Sequence, residues 1–372
     1  MHKFFIIRLI YGLVVLFSLP SSTFFQIQAN RNLINDRFYE EQRYLKQINF
    51  TPSSAAQKNS HEVVVAIIDE GVDFSHPDLQ NTAFSNSREL ENRMDDDNNG
   101  YINDIQGWNF LDGTNNLSPK GPHGTRLAGI IAAKSGNYEG IVGISQSTKI
   151  MSLIACNALD GCSPKAIVEA IYYAVDNGAN VINLSFGDVS GFSDVYSSAI
   201  NYANQKGVIV VAAAGGISQG QDLSTRPISP VCNEPVIGVS SIDEKGALPI
   251  WANFGACVDV YAPGTNIFTT TAFLYDQNLY GYYSGSSYSA AEVTGFIALL
   301  KSIKPNISQN EVMSLIKNQR LDAAASVLAV QPSVAQKPKP IAKVKGAATI
   351  KKVYTPINIP RISFNRPKEK LR

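Results

Sequence analysis

Five stretches of this chain, residues 63–68, 149–155, 181–185, 208–213 and 236–240, are apolar almost throughout and rich in Val and Ile. A strand with one wet face alternates apolar and polar residues, whereas an unbroken apolar run suits a strand buried on both faces. Between these runs, residues 164–176 and 193–205 carry the periodicity of amphipathic helices. Strands alternating with helices predict βαβ units, hence an α/β fold with a doubly wound, mostly parallel sheet flanked by helices. In such a sheet, sites form at the carboxyl ends of the strands. No period of roughly 20 to 50 residues recurs, which argues against a repeat architecture.

The 372 residues are 44 % hydrophobic and 17 % charged, enough apolar material for a sizeable core and too little charge for a wholly disordered chain. The net charge of +1 hides an asymmetry. Residues 331–372 hold eleven Lys and Arg against the single acid Glu369, a net of +10, so the remainder stands at −9. An acidic body argues against nucleic-acid binding across it. The basic end alternates lysines with prolines, a composition that stays extended and buries no core. It reads as a solvated tail, with electrostatic contact to an anionic surface as the alternative. The four histidines, His2, His61, His76 and His123, are too few for a multi-histidine metal site.

The opposite end reads as an export signal. Lys3 and Arg8 precede an apolar run over 9–19, and a bilayer-spanning helix needs about 20 residues. Small and polar residues follow as far as Ala29, so residues 1–29 are expected to be a signal peptide and the protein periplasmic or secreted. An oxidising compartment makes Cys156, Cys162, Cys232 and Cys257 candidates for disulfides. Four cysteines allow three connectivities; the nearest pairs in sequence are Cys156 with Cys162 and Cys232 with Cys257.

Three short motifs carry chemistry. Asp69 ends the first apolar run in Ile68-Asp69-Glu70-Gly71, where a strand end exposes an acid to a crevice. His123 opens an apolar helical stretch in Gly121-Pro122-His123-Gly124-Thr125-Arg126. Ser287 lies in Gly285-Ser286-Ser287-Tyr288-Ser289-Ala290, ahead of an apolar-periodic helix over 296–303. On the first turn of a helix, developing negative charge meets the positive end of the macrodipole. Each residue alone has a structural explanation, as a turn-capping acid, a core histidine or an N-capping serine. Together they supply a hydroxyl that needs a base, a base, and an acid to orient it.

The order acid, histidine, serine, with gaps of 54 and 164 residues, resembles the subtilisin-like serine peptidases, the subtilases. Their patterns read roughly D-[TS]-G, H-G-T-H and G-T-S-x-A-x-P. Residues 181–187 are similar to the family's V-I-N-x-S-L-G strand and 211–216 to its A-A-G-N stretch. Residues 253–255 and 258–264 are similar to N-Y-G and V-D-x-x-A-P-G, and 35–48 to the family's lead-in, so the likeness covers about 35–320. It divides the chain into signal peptide 1–29, lead-in 30–60, a subtilisin-like catalytic domain at 61–320 and a basic tail at 321–372. It implies a secreted, monomeric endopeptidase that takes peptide or protein substrates through an acyl-enzyme and needs no cofactor for the chemistry. Asp69, His123 and Ser287 would be the triad. Extended substrate would pair with Ser185, Phe186 and Gly187. Ala213, Ala214 and Gly215 would wall the pocket for the residue before the scissile bond and favour apolar side chains. Gly216 and the Ser287 N–H would occupy the oxyanion position. Only about 30 residues lie between Ala29 and the first strand, too few for a usual folded inhibitory propeptide.

Departures from the family pattern bear on function. Gly216 stands at the oxyanion asparagine, a donor whose loss costs about 10²–10³ in turnover. Gly216→Asn is therefore expected to raise turnover by about 10², unless Ser218 or Gln219 already replaces the donor. Arg126 replaces the second His of H-G-T-H, Ala291 replaces Pro, and Glu292 stands where His is frequent. Glu70 follows the acid where a hydroxyl residue is usual, and its charge disfavours ionised Asp69 if it points into the site. The alternative function is a pseudopeptidase that binds peptide or protein without cleavage. Finally, residues 95–100, D-D-D-N-N-G, fit the opening of a calcium loop, with Asp95, Asp97 and Asn99 as ligands. Asn103 and Asp104 could add oxygens, Gln106 stands at position twelve in place of Glu, and an acidic surface turn is the alternative. The resemblance adds that subtilases often carry calcium in loops here.

Overall fold

The apolar run that opens at Val63 forms β1 (Val63–Asp69), and its two-residue alternation divides it between two cores. Val65 and Ile67 face one core, Ala66 and Ile68 the other. The computed structural model describes residues 34–51, 61–187, 191–216 and 218–331. Residues 1–29 and the basic tail from 332 onward lie outside them.

The further strands are β2 (Gly107–Asn109), β3 (Thr148–Ile154), β4 (Cys156–Asn157), β5 (Gly161–Cys162), β6 (Val181–Leu184), β7 (Ile209–Ala213), β8 (Ile237–Ile242), β9 (Val260–Pro263), β10 (Ile267–Thr270) and β11 (Tyr280–Tyr283). The helices are α1 (Arg43–Gln47), α2 (His123–Ala132), α3 (Pro164–Asp176), α4 (Ser197–Gln205), α5 (Ser286–Ile303), α6 (Gln309–Leu315) and α7 (Ala323–Val330). Seven strands form one parallel sheet in the order β2-β3-β1-β6-β7-β8-β9. Helices α2 and α5 cover one face, α3 and α4 the other. The doubly wound α/β expectation therefore holds. The chain leaves β1 to build β2 and β3 on one side, then returns to place β6 on the other. The switch point lies beside β1, and a crevice opens at its carboxyl end. Asp69 is the last residue of β1.

Four local differences from the sequence expectations have physical causes. Residues 194–196 form a separate 3₁₀ turn capped by Ser193, so α4 starts only at Ser197. Helix α5 starts at Ser286, ahead of the apolar periodicity, because its first turns are mostly Ser and Ala, which apart from Ser287 are buried too. Strand β2 carries too few residues for a periodicity to register, and β9 breaks its buried run at the half-buried Tyr261 and ends on Pro263. The boundary at 320 is too early: α7 is N-capped by Asp322, buries Ala323 and Val327, and is tied to the lead-in by Ala323 N donating to Ile48 O at 2.9 Å.

Cys156–Cys162 and Cys232–Cys257 are both joined as disulfides. Among the described residues no helix is long and apolar enough to cross a membrane.

Helix α5 carries one uncompensated group. Glu292 is fully buried and neither carboxyl oxygen has a hydrogen-bond partner, so burial pushes its titration well above the usual carboxylate range. The unfolded chain releases this proton near pH 4.5, while the fold retains it. Stability is therefore fully present below that pH and is lost as pH rises toward the folded titration. Glu292→Met keeps the unbranched shape, and is expected to stabilise the fold by about 1–3 kcal/mol at pH 8 and by much less at pH 4. Urea unfolding at the two pH values checks this; an equal gain at both would reject the buried-proton explanation.

Candidate active site

Each site residue sits where an element ends. Asp69 closes β1, His123 is the first residue of α2, and Ser287 is the second residue of α5. His123 Nδ1 lies 3.0 Å from both carboxyl oxygens of Asp69. Asp69 is buried and its Oδ1 also accepts from the Glu70 N–H at 2.8 Å. Burial works against a charged ring at His123. The charge and hydrogen bond of Asp69, with Glu70 behind it, outweigh that effect, and the imidazole titrates above its ordinary value of 6.5.

Ser287 does not bond to His123. Its hydroxyl donates to the Ser185 carbonyl at 3.0 Å, while the Ser185 hydroxyl donates back to the Ser287 carbonyl at 3.1 Å. Asn183 Nδ2 donates to Ser185 Oγ at 2.9 Å and Thr294 Oγ1 to Asn183 Oδ1 at 2.9 Å, which fastens the end of β6 to α5. The N-cap of α5, Gly285, supplies no side-chain acceptor, and Gly285, Ser286 and Ser287 line the cleft at the positive end of the helix dipole.

The cleft itself holds about 660 Å³. His123 and Ser287 line it together with Ser185, Phe186 and Gly187 after β6 and with Ala213, Gly215 and Gly216 after β7. Ala214 does not line it. That residue is fully buried, its N–H donating to Val239 O and its carbonyl accepting from Asn253 Nδ2, because alternate residues of an extended chain face opposite ways. Asn253 and Ile228 are among the lining residues outside the expected pocket set. Asn253 braces the loop after β7, and Ile228 places its Cδ1 3.2 Å from where a Cβ on Gly187 would lie and 3.6 Å from one on Gly215. The N-F-G motif pointed to Asn253; no local pattern marks Ile228.

Gly216 cannot simply be restored to asparagine. Its φ is +138°, and a Cβ built on it would meet the Trp251 carbonyl oxygen at 2.1 Å. The loop has closed on the space that a side chain would need, which argues against the expected gain from Gly216→Asn. Glu70 turns aside from the pairing of Asp69 with His123. Its Oε2 accepts from the His123 backbone N–H at 3.1 Å. Burial and the adjacent Asp69 push its own carboxyl above the usual range.

The acidic loop gathers Glu89, Asp95 and Asp97, with one oxygen of each within 4.8 Å of the others. Asn99 turns elsewhere: its Nδ2 donates to Asp104 and its Oδ1 accepts from Tyr101 N. Asp104 accepts from the Tyr173 hydroxyl at 2.6 Å. The Asn103 Oδ1 is buried without a partner. Converging hard oxygens suit calcium, and Glu89, six residues ahead of the loop motif, joins Asp95 and Asp97 in that cluster.

Comparison with known proteins follows the same lines. The profile of the subtilase family matches residues 60–338. A thermophilic serine proteinase of Bacillus sp. (strain AK1) is 35 % identical over 269 residues, 72 % of this chain and 59 % of its own. Thermitase of Thermoactinomyces vulgaris is 31 % identical over 72 % of this chain and 85 % of its own. Subtilisin-like protease 1 of Plasmodium falciparum is 31 % identical, with 41 % of its length matched. The chain thus spans little more than half of the first of these relatives and less than half of the last. Among solved structures, a protease of Pseudoalteromonas arctica superposes with a TM-score of 0.64 at 25 % identity, over 80 % of this chain and all of that one. Fervidolysin of Fervidobacterium pennivorans, a keratinolytic enzyme related to subtilisin, gives 0.64 at 25 % identity over 80 % of this chain and 47 % of that one.

Proposed function

Since the chain belongs to the subtilase family, we propose that it is an exported serine endopeptidase that hydrolyses peptide bonds through Asp69, His123 and Ser287. The observation that carries the reading is the approach of His123 Nδ1 to both oxygens of a buried Asp69, with His123 and Ser287 on one cleft. His123 Nε2 takes the Ser287 proton as Oγ attacks the scissile carbonyl. The proton then passes to the departing amine, and water releases the acyl group by the reverse path. The bond from Ser287 to Ser185 O is compatible with this sequence. An extended substrate pairing along Ser185 to Gly187 offers its own N–H to that carbonyl and frees the hydroxyl for His123. Ile228 between the two glycines favours small apolar residues before the scissile bond. Disulfides at both cysteine pairs support export to an oxidising compartment.

An active-site phosphonate probe followed by peptide mapping tests the assignment, with a peptide library reading the preferred side chain. Labelling of Ser287 and cleavage after small apolar residues are expected. Absence of labelling with peptide binding retained would establish the pseudopeptidase, the reading favoured by the missing donor at Gly216.

We also propose structural calcium at Glu89, Asp95 and Asp97, with the Asn103 carbonyl oxygen of the amide side chain as a further donor. Millimolar calcium is expected to raise the melting temperature by several degrees through mass action, about 1–2 kcal/mol. The gain should vanish in Asp95→Ala/Asp97→Ala. Equal melting curves in calcium and chelator would reject the site.

A further inference from the structure

We propose that Glu70 and Arg126 are a matched pair of positioning charges for His123, one supporting its charged form and the other opposing it. The proposal rests on His123 acting as the general base. Both residues depart from the family pattern; the structure sets Glu70 on the His123 backbone N–H and Arg126 on the aromatic rings that lead to the imidazole.

Glu70 is held at the amino end of α2. Pro122, the N-cap, offers no side-chain acceptor, and Glu70 Oε2 accepts the His123 N–H instead. The position depends on Gly121, where a Cβ would lie 1.9 Å from that same oxygen. Arg126 lies three residues beyond His123, on the same side of the helix. It is also fixed. The guanidinium carbon stands 3.7 Å from the centroid of the Tyr283 ring, and Nε donates to Thr271 Oγ1 at 3.4 Å. Tyr283 packs on Tyr288 at 6.0 Å between centroids, and Tyr288 on His123 at 5.9 Å. The charge is therefore anchored to the wall of aromatic rings against which the imidazole rests.

The charged and titratable groups facing His123 are Asp69 at the end of β1, Glu70 directly after it, Arg126 from its own helix and Tyr288 from α5, with Tyr283 on β11 behind Tyr288. Asp69 and Glu70 raise the titration of the ring and Arg126 lowers it. Arg126 also favours the ionised form of Glu70, whose carboxyl burial and Asp69 push up. A second acid beside the base, alone, would hold His123 charged to higher pH and so remove the acceptor that Ser287 needs. The arginine offsets that effect.

The test is an NMR titration of the His123 Cε1–H in the full chain, beside the pH profile of kcat/KM for a peptide. Glu70→Gln keeps an acceptor oxygen for the His123 N–H and is expected to lower the His123 midpoint by about half a pH unit. Arg126→Gln is expected to raise it by about as much, and the double variant to return within about 0.2 units of the native chain. Arg126→Lys should leave it near native. The acid limb of kcat/KM should move in the same order. Shifts of one sign, no shift in either single variant, or a double variant that retains one single shift would overturn the pair. If Arg126→Gln fails to fold, Glu70→Gln and Arg126→Lys decide: a fall in the first and no change in the second support the pair, and anything else overturns it. Paired shifts in a chain without hydrolysis would defeat the peptidase reading and leave the charge pair standing. Hydrolysis without paired shifts would do the opposite.

Discussion

Ser287→Ala is expected to lower kcat by roughly 10⁴- to 10⁶-fold while KM for a peptide stays within about threefold, the pattern for removing a group that acts only in the transition state. The fold should survive. Ser287 is partly exposed at the cleft, and its hydroxyl makes one bond, to Ser185 O. The return bond from Ser185 Oγ reaches the Ser287 backbone carbonyl, which alanine retains. Native turnover is itself expected to be slow, because the tetrahedral oxyanion meets the Ser287 N–H and the α5 dipole without a donor from residue 216. The measurement therefore needs a fluorogenic peptide and an overnight assay. Hydrolysis that persists in the alanine variant would mean another nucleophile.

Gly216→Asn is expected to destabilise the fold by about 2–4 kcal/mol and to gain no turnover. Two costs combine: an L side chain at φ +138° and a Cβ overlapping the Trp251 carbonyl. Trp251 cannot yield easily: the adjoining Ala252 donates its N–H to Pro249 O at 3.0 Å, and the Ala252 carbonyl oxygen lies against Gly220, where a Cβ would meet it at 2.0 Å. Urea unfolding and turnover on the same preparation check this. A folded variant with about 10²-fold higher turnover would show that the loop after β7 re-routes and that only the missing amide limited the native chain.

Much of the fold was legible because strands buried on both faces write their burial into consecutive residues. The runs at 63–68 and 181–185 correspond to β1 and β6, at the centre of the sheet where no face is wet. The edge strands were not legible: β2 has three residues, and β9 breaks its buried run at the half-buried Tyr261 and ends on Pro263. The loop 95–100 shows the same limit at a site: its spacing suggested Asn99, while the structure brings Glu89 to Asp95 and Asp97 and turns Asn99 to Asp104.

By itself the sequence determined the α/β class, the family, and the three residues whose elements end around one crevice. Those conclusions rest on side-chain identity and local periodicity, which the chain states directly. Tertiary structure alone decided that Ser287 rests on Ser185 O, that Gly216 is closed off by Trp251 O, that Ala214 faces away, and that Glu70 holds the N–H of His123. The physical reason is common to them. Each depends on a backbone carbonyl or N–H, groups that nearly every residue carries alike. Which of them approaches a given side chain across 53 or 102 residues is set by strand order and register, and these exist only once the sheet has assembled.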